Sequence, residues 1–342
     1  MNIKGVNYDT GITTTHNTPS RESFDPQTVR REIEIIKTDL HCNAIRISGQ
    51  RLERLVLATE LALEQGLEVW FSPSLADKGE AGALKILEES AQAAEELRLR
   101  SARIVFVAGT ELSAFMPGFL EGETAMQRLG TLINPFRLIK STLMNGSFHK
   151  KLNRFLAKST TLIREHFHGK IAYASGAWEE VDWSPFDVVG VDYYRDAMNE
   201  KVYEKNLRAY FRHGKPVVIT EFGCCTYQGA ANRGGYGWVI VDWSKTPPQL
   251  KRKFFRDEAG QANDLIELLE IFEAENAEGA FVFTFVSPSY PHNPQPFYDL
   301  DMASYSLVKT YKEQKGHTYP DMTWEPKESF ARLADFYQAD DH

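Results

Sequence analysis

The sequence predicts a single-domain (β/α)8 TIM barrel, and three observations carry that reading. Short apolar, β-rich runs alternate with helix-patterned segments along the whole chain, as expected when a parallel sheet is wrapped by helices. Eight such runs are found, and 342 residues suit one barrel of about 250 residues enlarged by long loops. The rival architecture, an open doubly wound sheet, would carry a glycine-rich phosphate turn after its first strand. That position reads Asn7-Tyr8-Asp9-Thr10-Gly11, and no Walker-type phosphate loop occurs elsewhere.

The first strand is expected at 3–8. Asp25 then offers an N-cap and Pro26 a first helical residue, before Val29, Ile33, Ile36 and Leu40 recur at helical spacing. Residues 43–48 form the second strand and 52–65 an amphipathic helix ended by Gly66. The third strand, 67–72, precedes a long Ala/Glu/Leu helix over 80–99, and the fourth strand is 103–108. A long loop with short helical pieces follows over 115–147, rich in proline and glycine, and 152–167 is helical. Strands five and six are expected at 170–175 and 186–192, then a helix at 200–212 closed by Gly214. The seventh strand, 216–220, leads into a second long loop over 222–257. A helix at 258–277, the eighth strand at 280–285, a short helix near 304–311 and a polar tail from about 315 complete a domain spanning 1–342.

Apolar residues make up 42% and charged residues 25%, enough to bury a full core. A net charge of −8 argues against a nucleic-acid partner, which would call for a basic stripe. No apolar run approaches the roughly 20 residues that cross a bilayer, so no membrane partner is expected. Met1-Asn2-Ile3-Lys4-Gly5 leads straight into a strand, and a cytoplasmic location is the expectation. Cys42, Cys224 and Cys225 make no disulfide framework or zinc spacing, and His16, His149, His166, His168 and His292 show no metal pattern. Neither metal nor cofactor is expected.

In a barrel of this kind the chemistry sits at the C-terminal ends of the strands. Lys215-Pro216-Val217-Val218-Ile219-Thr220-Glu221-Phe222-Gly223 is a doubly buried strand ending on a carboxylate, after which Gly223 lets the chain turn away. Residues 102–114 repeat the layout: an apolar run, then Ala108-Gly109-Thr110, then Glu111. Tyr8, Asp9, Arg46, Asp192, Tyr193, Tyr194 and Phe285 stand at other strand ends. Strand residues alternate sides, so one of Tyr193 and Tyr194 must point away, and the reading favours Tyr194 as that one. Trp178, Trp183, Tyr227, Tyr236, Trp238, Trp243, Tyr290 and Phe297 add flat apolar faces from the loops. Two opposed carboxylates are what glycosidic bond cleavage needs: one protonates the departing oxygen, the other attacks the anomeric carbon or activates water. Aromatic faces suit the C–H faces of a sugar. A small glycoside or oligosaccharide is therefore the expected substrate.

Glutamates after strands four and seven, an arginine on strand two and a tyrosine after strand six resemble the retaining (β/α)8 glycoside hydrolases of clan A. The resemblance implies Glu111 as acid/base, Glu221 as nucleophile, and Arg46 with Tyr193 or Tyr194 as orienting partners. Members of the clan usually carry Asn where this chain has Thr110, and often Trp where it has Phe285. The stretches DLHCNAIRISG (39–49), KPVVITEFGCCTY (215–227), AFVFTFVSP (280–288) and DLDMASYSLVKTY (299–311) are also similar to a bacterial group labelled abortive infection protein. An alternative is thus a non-hydrolytic barrel that binds carbohydrate or a partner in phage defence.

Overall fold

In the computed structural model, which describes residues 1–13 and 19–339, eight parallel strands close into a barrel. They are β1 (Ile3–Asp9), β2 (Ala44–Gly49), β3 (Glu68–Pro73), β4 (Ile104–Thr110), β5 (Lys170–Gly176), β6 (Val188–Asp192), β7 (Val217–Phe222) and β8 (Gly279–Val282). Each pairs with its sequence neighbour, and β8 closes on β1 through Ile3 opposite Gly279. The α-helices of eight residues or more are α1 (Pro26–Thr38), α2 (Leu52–Glu64), α3 (Glu80–Arg100), α4 (Ala125–Leu132), α5 (Pro135–Asn145), α6 (Phe148–His166), α7 (Glu258–Ala274) and α8 (Glu328–Ala339). The expected start of α1 is observed: Asp25 accepts from the Thr28 N–H and Pro26 is the first helical residue.

Two apolar layers follow from side-chain alternation along each strand. Inward-facing residues, among them Ala44, Trp70, Val107, Ala174, Val218 and Phe281, fill the barrel. Outward-facing ones such as Ile45, Phe71, Phe106 and Ile219 meet the helices. Every barrel strand is buried, which is why they read as continuous apolar runs rather than alternating ones.

Three differences from the sequence expectation matter. The eighth strand stops at Val282, short of Phe285. Residues 200–212 are not one helix but short helical pieces, Glu200–Val202, Tyr203–Leu207 and Tyr210–His213, ended by Gly214 in the left-handed conformation. The segment expected as a polar tail is folded, and no helix forms at 304–311: Val308–Thr310 pairs antiparallel with Trp324–Pro326, and α8 follows. Phe330, Leu333 and Tyr337 recur at helical spacing and are buried, and the Tyr337 hydroxyl donates to the Gly5 carbonyl at 3.2 Å. This helix closes the outer layer beside β1. Among the described residues no helix is long and apolar enough to cross a membrane.

Candidate active site

Ladder pairing slips at three strand ends: between Val107 and Thr110 where β4 meets β5, between Val191 and Asp192 where β6 meets β7, and between Ala280 and Val282 where β8 meets β7. Such irregularities re-aim side chains. All three lie at or toward the C-terminal rim, where a cavity of about 460 Å³ opens. Both Glu111 and Glu221 line it.

Glu111 follows directly on β4 with a left-handed backbone, φ 43° and ψ 42°. That conformation costs a residue other than glycine roughly 1 kcal/mol, so the surroundings must impose it. They do so from β5 and the loop after it. The Glu111 N–H donates to the Ala174 carbonyl at 2.8 Å. The next two N–H groups donate to the Tyr173 hydroxyl (Leu112, 3.0 Å) and to Glu179 Oε1 (Ser113, 2.9 Å). Glu179 Oε2 in turn accepts from the Tyr173 hydroxyl at 2.7 Å and the Gly176 N–H at 3.1 Å. Trp178 adds a fourth tie, its indole N–H donating to Ser113 Oγ at 3.0 Å. Burial pushes the Glu111 carboxyl well above its ordinary range; the charges of Asp192, Glu221 and Glu179 add to the rise and Arg46 opposes it.

Glu221 ends the buried run of β7, and Gly223 at φ 124° turns the chain away, as expected. Its carboxylate is held from two sides. Arg46 Nη1 donates to Oε1 at 2.9 Å and the Tyr194 hydroxyl to Oε2 at 3.1 Å. Arg46, 1% exposed, is itself fixed by Asn7 Oδ1 at 3.1 Å and by Thr110 Oγ1 at 2.5 Å. Thr110 therefore takes a guanidinium contact next to Glu111. Asp192 accepts from Thr220 Oγ1 at 2.6 Å, while its buried Oδ2 has no partner among the described residues. Burial and then the Glu221 charge raise this carboxyl well above the usual range. Three carboxyl groups and one guanidinium thus share a small volume, and a neutral, protonated form of Glu111 and Asp192 relieves their repulsion.

Asp9, Trp178, Tyr236 and Trp238 also line the cavity. Three expected residues do not. Tyr8 points outward, its hydroxyl donating to Glu32 Oε2 at 2.5 Å beside Arg21. Asn7 and Asp9 on either side face inward, as alternation along β1 requires. Tyr193 is the tyrosine that faces away, donating to the Tyr203 carbonyl at 2.7 Å, so the expected assignment of the pair is reversed. Phe285 is fully buried and meets Trp324 edge-on at 5.4 Å, because β8 has already ended and Phe283 takes the place on the cavity wall.

Of the loop aromatics, Tyr290 lines the cavity, whereas Trp183, Tyr227, Trp243 and Phe297 do not. Cys224 and Cys225 are buried free thiols in the apolar cluster under the β7 loop. His16 lies outside the described residues. Sequence reasoning missed Asn7, Ser48, Ser72 and Thr284 on the lining, and it missed Glu179. Inward phase on β1, β2 and β3 would have found the first three. Nothing in Trp178-Glu179-Glu180 distinguishes a buried clamp from a surface acid. Among the described residues no group of three or more His, Cys, Asp or Glu side chains is arranged to hold a metal ion.

No protein-family model matches the chain, and no curated protein matches it by sequence. Solved structures do match in fold. A GH113 β-1,4-mannanase complex superposes with a TM-score of 0.61 at 12% identity, covering 98% of this chain and 99% of the mannanase. The GH113 β-mannanase of Alicyclobacillus acidocaldarius in complex with ManMIm gives a TM-score of 0.60 at 13% identity, covering 98% of this chain and 97% of that one. Bacteroides uniformis β-glucuronidase 2, covalently bound to cyclophellitol-6-carboxylate aziridine, gives 0.60 at 13% identity over 99% of this chain but 35% of the longer enzyme. The fold is therefore the closed barrel that these glycoside hydrolases share.

Proposed function

We propose that the protein is a retaining glycoside hydrolase in which Glu221 attacks the anomeric carbon and Glu111 serves as acid and then base. The observation that carries this reading is the unequal treatment of two carboxylates on one cavity. Glu221 has each oxygen tied to a donor, Arg46 Nη1 and the Tyr194 hydroxyl, so its plane is fixed toward an incoming carbon. Glu111 is pushed well up by burial and neighbouring charge, which keeps it protonated and able to give its proton to the leaving oxygen. When Glu221 becomes esterified to the sugar its charge vanishes. One of the causes that raise Glu111 is then gone, its affinity for a proton falls, and it can take a proton from the water that releases the sugar.

The substrate is a neutral short oligosaccharide or glycoside. Arg46 is the only cationic side chain among the described lining residues, and both of its terminal nitrogens are already committed, to Glu221, Asn7, the Thr220 carbonyl and Thr110. A uronic acid would bring a further carboxylate beside Asp9, Glu111, Asp192, Asp196 and Glu221 with no cation to receive it. Trp178, Tyr236, Trp238 and Tyr290 offer ring faces to sugar C–H groups. The fold likeness to enzymes named for β-mannan and β-glucuronide supports a β-linkage.

A panel of nitrophenyl β-glycosides tests the reading. The expected result is release of nitrophenol from neutral sugars by the wild type, lost in Glu221→Ala, with the β-anomer of the product formed first by proton NMR. Tight sugar binding without release would point instead to the non-hydrolytic barrel.

A further inference from the structure

Of the eleven large apolar side chains that stand exposed among the described residues, six fall within residues 126–144. Four of them lie on α5. Phe136 is 86% exposed, Ile139 59%, Leu143 82% and Met144 70%. Their spacing of three, seven and eight residues puts them on one face of the helix. Leu138 and Ser141 occupy the opposite face, against the protein. The helix therefore turns its more apolar side to solvent, the reverse of the usual arrangement. Ile133, 65% exposed just before the helix, extends the same surface.

Charge marks this region as well. Residues 124–164 contain no Asp or Glu and eight Lys or Arg, in a chain whose net charge is −8. Some of these are internally matched: Arg128 pairs with Asp77, Lys158 with Glu80 and Arg164 with Asp187. Arg137 and Lys140 on α5, and Lys150 and Arg154 at the start of α6, are exposed. None of these four has an ion-pair partner among the described residues.

We propose that α5 docks the protein on an anionic lipid surface, with Ile133, Phe136, Ile139, Leu143 and Met144 entering the headgroup boundary and Arg137 and Lys140 meeting lipid phosphates. A lipid surface supplies both an apolar layer and negative charge, the two things this helix lacks. A second copy docked through the same patch would be two-fold symmetric and would set each basic cluster against itself. The eleven residues of α5 span about 16 Å, half a hydrocarbon core of about 30 Å. It can lie in the interface but not cross it, so counting apolar run lengths does not detect it. The helix belongs to the insert after β4 whose Phe115 and Leu129 line the cavity, so docking would set the cavity rim beside the lipid.

The test is flotation of the full chain with phosphatidylcholine vesicles, with and without an equal part of phosphatidylglycerol, at low and high salt. Expected is recovery with the phosphatidylglycerol vesicles, weakened by salt. Recovery should fall about tenfold in the Phe136→Ser, Ile139→Ser, Leu143→Ser triple variant and in Arg137→Glu with Lys140→Glu. All these positions are exposed, so thermal unfolding of both variants should match the wild type, and binding is read without reference to activity. Wild-type binding to neither vesicle, equal binding to both, or full binding by the triple variant overturns the proposal. So does a wild-type dimer in sedimentation that dissociates in the triple variant without any vesicle binding.

Discussion

Tyr194→Phe separates two adjacent tyrosines that differ by one position in sequence and by everything in placement. Removing the Tyr194 hydroxyl deletes a 3.1 Å hydrogen bond to Glu221 Oε2 and leaves the ring packed edge-on against Tyr305 at 5.8 Å. A hydrogen bond to a charged partner contributes about 1.5–3 kcal/mol. The Glu221 side chain is 14% exposed to the cavity, so water recovers part of that and the lower end applies. About 1.5 kcal/mol is about tenfold in kcat/KM. Tyr193→Phe removes a hydroxyl that donates to the Tyr203 carbonyl at 2.7 Å, outside the cavity. It leaves a buried carbonyl short of a donor and should lower stability by about 1–3 kcal/mol, with kcat/KM held within about twofold. Initial rates on an active aryl glycoside and urea denaturation of both variants supply the assay. A Tyr194→Phe rate equal to the wild type, or a Tyr193→Phe rate that falls with it, refutes the orienting role of Tyr194.

Further expectations concern Glu111 and the fold. Glu111→Gln should lower kcat/KM by about 10²–10⁴-fold on substrates with basic leaving groups and far less on nitrophenyl glycosides, whose departure needs little protonation, while kcat on the latter still falls because the base for the water step is gone. Because the folded state raises the Glu111 carboxyl above its ordinary 4.5, the folded protein binds more protons than the unfolded chain just above that pH. Stability contributed by this group therefore falls as pH rises from its ordinary value. Glu111→Gln should accordingly be more stable than the wild type near pH 8, with the gap closing toward pH 4.5, as read by chemical denaturation across pH. Tyr337→Ala, at a fully buried position on α8, should cost about 3–5 kcal/mol, measured the same way. A loss under about 1 kcal/mol would mean that α8 is dispensable.

Much of the barrel was legible because parallel strands buried on both faces leave continuous apolar runs, and Val217 to Ile219 ending on Glu221 is as plain as such a signal becomes. The two glutamates were legible for the same reason: each stands where a buried run stops. What was misread is phase at the rim. Alternation alone would have excluded Tyr8 in favour of Asn7 and Asp9. Carried past the inward-facing Asp192, it would also have turned Tyr193 away and Tyr194 toward the cavity, because the irregularity between β6 and β7 adds its extra residue on β7. Phe285 failed because β8 ends three residues early, handing the wall to Phe283. The α8 helix was hidden by its acidic surroundings, although Phe330, Leu333 and Tyr337 carried the periodicity. Glu179 could not be found, since its contact with the Ser113 N–H, 66 residues away, is made only through tertiary structure.

Trapping with a series of activated 2-fluoro glycosides, followed by peptide mass mapping, bears most directly on how Glu111 and Glu221 divide the work. A neutral β-configured member of the series should inactivate the wild type in a time-dependent way and leave one sugar on the peptide containing Glu221. Label on Glu111 or on another carboxylate, with Glu221 unmodified, would contradict the proposed division between them.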